Sequence, residues 1–409
     1  MTMDRKVTGV QPKHDRTLIY YLALIGFFAI FSTTLAKNPV LPLYANALGA
    51  TDSLLGLIAA VSPLAGILFS FPVGVISDRF GRRRLLILAG IVFLTAPLCY
   101  LIVTDPLALI PIRFFHGAAT AILGPVVSAI IAERFPATKG EMLGSYSSAT
   151  LVGRTLAPLA GGIIISVFMF MPCLFPYRMV YVVAALAAVP VLYLILRYRD
   201  ETPGSMMAPG FSVFKESLVT FIASRRLRAT ALADMATYFA FGAFETFLPV
   251  YLVLLHYEAW QIGIIFAIQV LIIAATKPFF GRIADRADKR YQIIAGLLIT
   301  GSSVAVVPFV TSFGTILAVS AAFGLGMSLS TVATSVYVAD VARREQIGAS
   351  MGALSSIMDI GHSAGPLVTG IIITVAGYTL GFFAGFVLAL AVAGIFAVSV
   401  RNRSRNIAG

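Results

Sequence analysis

"GVISDRFGRRR", Gly74 to Arg84, sets five charged residues into eleven, in a chain of 409 residues of which only 12% are charged. A second stretch, "GRIADRADKRY", begins at Gly281, 207 residues later, and repeats the layout. Long apolar runs flank both copies. Charge of this density between apolar segments marks a short polar connection between membrane-crossing helices, and its recurrence raises the question of an internal repeat.

The apolar runs answer the first part. The chain is 59% hydrophobic with a mean hydropathy of +0.93, whereas soluble domains carry roughly a quarter charged residues. Apolar runs of about 20 residues, the length a helix needs to cross the hydrocarbon core, occur twelve times: 17–44, 53–74, 84–104, 107–132, 142–168, 177–196, 229–255, 260–280, 290–310, 314–340, 348–374 and 377–400. They are continuous rather than alternating, which excludes a transmembrane β-barrel, whose strands take about ten residues each. The expected fold class is an all-α membrane protein of twelve transmembrane helices in two six-helix halves.

Sliding one half over the other supports the repeat. At an offset of 207, Gly56 meets Gly263, Gly74 meets Gly281, Asp78 meets Asp285, Gly117 meets Gly324 and Glu133 meets Asp340. At 208, Gly153 meets Gly361, Pro158 meets Pro366 and Gly162 meets Gly370. These coincidences fall on Gly, Pro and charge, so shared hydrophobicity does not explain them. The division is residues 1–196, a polar cytoplasmic linker 197–228, and residues 229–409. Parallel repeats of this kind place a substrate site between the halves near the midplane.

The net charge of +12 is a matter of topology. With a cytoplasmic N-terminus, 25 of the 30 Lys and Arg fall in the tails, the linker and the loops on that side. This bias predicts a multi-pass protein of the inner (cytoplasmic) membrane with both termini cytoplasmic, and it leaves no call for a nucleic-acid partner. The two cysteines, Cys99 and Cys173, have no metal or disulfide spacing and are expected to pack as small hydrophobes.

These residues resemble a known family. "GVISDRFGRRR" is similar to the loop signature of the major facilitator superfamily. "NPVLPLY", Asn38 to Tyr44, and "GRTLAPLAGG", Gly153 to Gly162, resemble the helix 1 and helix 5 signatures of its drug:proton antiporter branch, with Ala157 standing where a Gly precedes the Pro. "RFFHG", Arg113 to Gly117, resembles the helix 4 signature whose Arg is linked to proton movement, with His116 in place of the usual Gln. The resemblance implies a conformational switch loop in Gly74, Asp78, Arg79, Gly81 and Arg82, pairing charges across the halves, with Asp285 and Arg286 in the eroded second copy. The alternative is a solvated basic loop that serves orientation alone. It also implies a packing hinge at Gly153, Pro158, Gly161 and Gly162, echoed at Gly365 and Pro366, where ordinary small-residue packing is the competing reading.

Charges inside spans are the functional candidates, because each is costly unless it faces a cavity or a partner. The first half offers Lys37, Arg113, His116 and Arg154, and the second Asp234, Glu245, Asp359 and His362. Asn38 and Glu245 are repeat counterparts, as are Arg154 and His362, so both pairs should look into one central cavity. A carboxyl in low-dielectric surroundings favours its protonated form, which suits a group that binds and releases protons. Glu245 and Asp359, with Arg113 and Asp234, are the proton-coupling candidates. A static Lys37–Glu245 ion pair is the alternative for the first, and a structural role is open for Asp234. Lys37, Asn38, Arg154, His362 and His116 are the substrate-cavity candidates, though His116 also fits a packing role. No nucleotide loop, nucleophile elbow or metal motif occurs, so an enzyme is not expected. The reading is a monomeric proton-coupled exporter of small organic molecules, anionic or zwitterionic since Lys37 stands in the first half, driven by the proton gradient without a cofactor. An importer or facilitator is the other reading of the same fold.

Overall fold

The structure, a computed structural model, describes residues 13–172, 174–198, 219, 221, 223–342 and 347–400, without the side chains of 13–16, 70–80 and 347–349. All regular structure among the described residues is helical. In the first half, α1 runs in two segments, Lys13–Leu35 and Val40–Ala47. It is followed by α2 Asp52–Phe80, α3 Arg82–Leu101, α4 Leu109–Arg134, α5 Lys139–Val167 and α6 Phe175–Arg197. The second half holds α7 Arg225–Leu254, α8 Ala259–Arg286, α9 Lys289–Val306 and α10 Phe313–Val341. The helical stretch Ile347–Val400 is broken at Gly377, with φ 82° and ψ 170°, into α11 (347–376) and α12 (378–400). Twelve spans result among the described residues, matching the apolar runs. Most of the linker and the C-terminal tail lie outside the described residues, and so does Cys173. Cys99, expected to pack, is exposed on α3.

The charged stretches are helix ends, which corrects their reading as loops. α2 continues through Phe80, so Gly74, Asp78 and Arg79 are helical, and the chain turns on Gly81 alone at φ +87°. Glycine supplies that left-handed conformation without a Cβ penalty. Asp285 and Arg286 likewise close α8, and Ala287 and Asp288 make the turn. Asp288 then caps α9, accepting a hydrogen bond from the Arg290 backbone at 3.0 Å, and the Arg290 side chain holds its carboxyl below the ordinary value. Continuing each helix to its last charged residue leaves few backbone groups unpaired near the membrane. The pairing expected of Asp78 and Arg79 falls on side chains outside the described residues.

Arg82 is described. It is buried, and its guanidinium forks onto the Glu133 carboxylate of α4. The repeat counterparts, Lys289 on α9 and Asp340 on α10, pair at 2.9 Å. The same clamp therefore joins the third and fourth helices of each half. The two copies should differ in weight, because Arg82 is 7% exposed whereas Asp340 is 55% exposed. Arg82→Glu is expected to cost about 3–5 kcal/mol by stranding a buried charge, and Lys289→Glu under about 1 kcal/mol. Thermal melting of the purified proteins reads this difference, and the double change Arg82→Glu with Glu133→Arg should recover most of the loss.

The halves meet along two seams, α2 against α11 and α5 against α8, and these are one crossing made twice. A Cβ on Gly263 would lie 2.6 Å from the Pro158 carbonyl oxygen, and one on Gly56 would strike the Pro366 carbonyl. A Cβ on Gly370 would lie 2.5 Å from the Asp52 carbonyl, and one on Gly162 would strike that of Ala259. All four pairs obey the repeat. The hydrogen bonds repeat too: Ser53 N–H donates to Thr374 Oγ1 at 3.1 Å, and Trp260 N–H to Ser166 Oγ at 3.0 Å. Close backbone contact of this kind is what small residues give to helices in lipid.

Both seams lie near the start of α2 and α8. At that end one apolar cluster runs through both halves, from Leu43 and Tyr181 to Phe247 and Phe266. At the opposite end the clusters are separate. Leu22, Leu86, Ile130 and Tyr146 pack within the first half, and Ala229, Ile293 and Phe396 within the second. Among the described side chains, the halves share one apolar cluster at one end and pack in separate clusters toward the other.

Candidate functional site

Between the seams, α1 breaks. Residues 36–39 form turns between its two segments, where Pro39 and Pro42 remove backbone donors from the helix ladder. The break carries Lys37 and Asn38, and unwound backbone inside a span is tolerated where protein or a cavity surrounds it. Opposite, the unbroken α7 presents Glu245. Lys37 Nζ donates to Glu245 Oε2 at 2.6 Å, Asn38 Nδ2 donates to Oε1, and His362 Nε2 on α11 lies 3.2 Å from Oε2. Lys37 Nζ and His362 Nε2 are 3.4 Å apart. One carboxylate thus gathers a cation, an amide and an imidazole from both halves.

Asn38 and Glu245 are repeat counterparts, and they touch. Two positions related by a pseudo-twofold axis meet only where the axis passes, so this contact marks the axis itself. The cluster is part solvated, with side-chain exposures of 25% for Lys37, 10% for Glu245 and 16% for His362. Phe241 and Tyr238 flank the imidazole, with ring centroids 5.2 and 6.3 Å away.

The other candidates take up distinct places. Asp359, one turn before His362, turns toward α2, where its Oδ2 would lie 3.1 Å from a Cβ on Gly66. A side chain at that position would crowd the carboxyl. Arg154, the counterpart of His362, is exposed on α5, within electrostatic range of Lys37. Asp234 is buried within the second half, where Thr334 Oγ1 donates to it at 2.7 Å. Beside it Thr237 and Ser330 hydroxyls meet at 2.8 Å. His116 lies inside the first half against Phe93 and Tyr100, away from the Glu245 cluster. Arg113 is buried beside it.

The hinge glycines divide by partner. Gly153 and Gly161 seat α5 on α1, where a Cβ on Gly153 would lie 2.7 Å from the Phe27 carbonyl. Gly162 and Pro158 face α8, and Gly365 abuts Phe239 of α7 while Pro366 faces α2. Sequence reasoning missed the hydroxyl network around Asp234 and the stacked Tyr100 and Tyr181, whose ring centroids are 4.5 Å apart. Serine, threonine and tyrosine are too common in apolar spans to announce such groupings.

Comparison with known proteins follows the same architecture. The chain is 25% identical over 342 residues to an uncharacterized MFS-type transporter of Methanocaldococcus jannaschii, covering 83% of this chain and 87% of that one. It is 25% identical over 353 residues to the quinolone resistance protein NorA of Staphylococcus aureus, covering 86% and 88%. The fold is similar to that of a bacterial homolog of the human lysosomal transporter Spinster in an inward-facing, unoccupied conformation, with a TM-score of 0.78 at 17% identity over 95% of this chain and 97% of that one. The family model of the Major Facilitator Superfamily matches residues 22–268 and 255–408. The chain belongs to the Major Facilitator Superfamily and is a multi-pass membrane transporter, not an enzyme.

Proposed function

We propose that this transporter is a monomeric, proton-coupled exporter of small organic anions or zwitterions, working by alternating access between two halves, residues 1–196 and 229–409. The observation that carries the reading is the single carboxylate of Glu245 held by Lys37, Asn38 and His362 on the axis between the halves. A proton on Glu245 would release Lys37, and the freed ammonium would then attract a substrate carboxylate. Competition between proton and substrate for one cation couples the two fluxes without further machinery. Asp359 is a second proton carrier in this scheme, and Asp234 and Arg113 support it from within each half. Relatives such as NorA favour export.

The distribution of Lys and Arg supports an inner-membrane protein with both termini in the cytoplasm. In that orientation the two seams lie on the external side and the arrangement is inward-facing. Asp78, Arg79 and Arg82, with Asp285 and Arg286, would then govern closure of the cytoplasmic end.

Purified protein in liposomes tests the reading, with a pH gradient imposed in either direction and a panel of matched acids and amides. Acid substrates should move against the proton flux. Movement with the protons would make the chain an importer, and flux indifferent to the gradient would end proton coupling. Lys37→Ala and Arg154→Ala should each weaken binding of an acid about tenfold, the scale of a lost charge-assisted contact. The matching amide should lose little, and equal losses for both would reduce these cations to structural partners.

A further inference from the structure

Arg113 is 2% exposed, and its Nε and Nη2, the edge that grips a carboxylate as a fork, have no hydrogen-bond partner. His116 is 1% exposed with neither ring nitrogen partnered, and the Tyr100 and Tyr181 hydroxyls, both on fully buried residues, are also unpartnered. These groups belong together. Tyr100 stacks on Tyr181 at 4.5 Å, and its ring lies 6.2 Å from that of His116. Arg113 stands beside the Tyr100 hydroxyl. The helices that converge here are α3, α4 and α6, all of the first half.

No carboxylate of that half is free to answer the guanidinium among the described side chains. Glu133 is engaged by Arg82, Asp52 by Tyr378 at 2.8 Å, and Asp105 by its own helix cap at 2.9 Å. Glu141 is exposed at the start of α5. Buried polar groups are paired as a rule, and an unpaired buried cation is the costliest exception. Most of the unpartnered atoms can donate: the guanidinium Nε and Nη2, two phenols and one nitrogen of the imidazole. A donor set of this kind is complementary to an anion.

We infer that Arg113, His116, Tyr100 and Tyr181 form an anion-binding site inside the first half, which takes a small carboxylate or a halide. The guanidinium fork holds the charge, and the two phenols cap it against a wall of aromatic rings. The site stands whichever way transport runs and whether or not protons drive it, so its test reads binding rather than flux.

The two tyrosines provide the signal. Purified protein titrated separately with sodium acetate, sodium chloride and acetamide should give a saturable near-ultraviolet tyrosine difference spectrum with an anion and none with acetamide. A response to acetate alone makes the ligand a carboxylate, and a response to chloride as well makes it a small anion of either kind. Tyr181→Phe should raise the half-saturating concentration about tenfold, and Arg113→Gln by more, on the scale of hydrogen bonds to a charged group. Should Arg113→Gln fail to fold, Tyr181→Phe decides alone. An unsaturable response, or one equal in wild type and Tyr181→Phe, overturns the site.

Discussion

Glu245→Gln is expected to abolish flux driven by a pH gradient while substrate exchange without a gradient continues. The amide keeps the shape of the side chain and can still accept from Asn38 or Lys37, so the seat between α1, α7 and α11 survives. What it loses is the proton, and with it the negative charge that answers Lys37. Removing the side chain is different. Glu245→Ala leaves Lys37 beside an imidazole 3.4 Å away with no carboxylate on the axis, and breaking a buried pair costs about 3–5 kcal/mol. Both variants strand the Lys37 charge, and the alanine variant should melt earlier still, because it also loses the hydrogen bonds to Asn38 and Lys37 that the glutamine keeps. Undiminished gradient-driven flux in Glu245→Gln would leave the pair a static brace between the halves.

A second large effect is expected from Gly263→Val. Its Cβ would sit 2.6 Å from the Pro158 carbonyl and 3.2 Å from the Gly162 Cα, both backbone atoms that cannot swing aside. Overpacking of this sort costs about 1–3 kcal/mol, which here falls on one conformation only, the one in which the seam is closed. The population should shift roughly five- to 150-fold toward the state open at that end. Distances between spin labels across the two ends would read the shift, and transport should fall with it. Gly124→Ala is the control, since nothing lies within 4 Å of its Cβ position. A Gly263→Val protein with wild-type distances would mean that the seam is loose enough to absorb the side chain.

The spans were legible because bilayer thickness imposes one length on every helix, and the repeat was legible because Gly56, Gly263, Gly162 and Gly370 have no apolar substitute. Hydropathy is blind to whether a charged residue ends a helix or leaves it, so Gly74 to Arg79 read as loop while the backbone carries them as helix. It is equally blind to the interruption of α1, although Pro39 and Pro42 mark the place. The pairing of Asn38 and Glu245 as counterparts foretold a shared outlook, but contact depends on how far α1 and α7 stand from the axis, which no spacing encodes. His116 shows the same limit. Its position on α4 fixed its depth, and the rotation of the helix decided that it would meet Phe93 and Tyr100.

The break at Gly377 also makes the two seams unequal. It starts α12 with Tyr378, whose hydroxyl donates to Asp52 at the head of α2. The counterparts of these residues, Phe170 and Ala259, have neither hydroxyl nor carboxylate. One seam carries a latch that the other, held by its Trp260–Ser166 bond, lacks. If the halves part by the proposed alternating access, α5 should slide from α8 first while the tyrosine still holds α2, and the last bond to part would set the pace of opening.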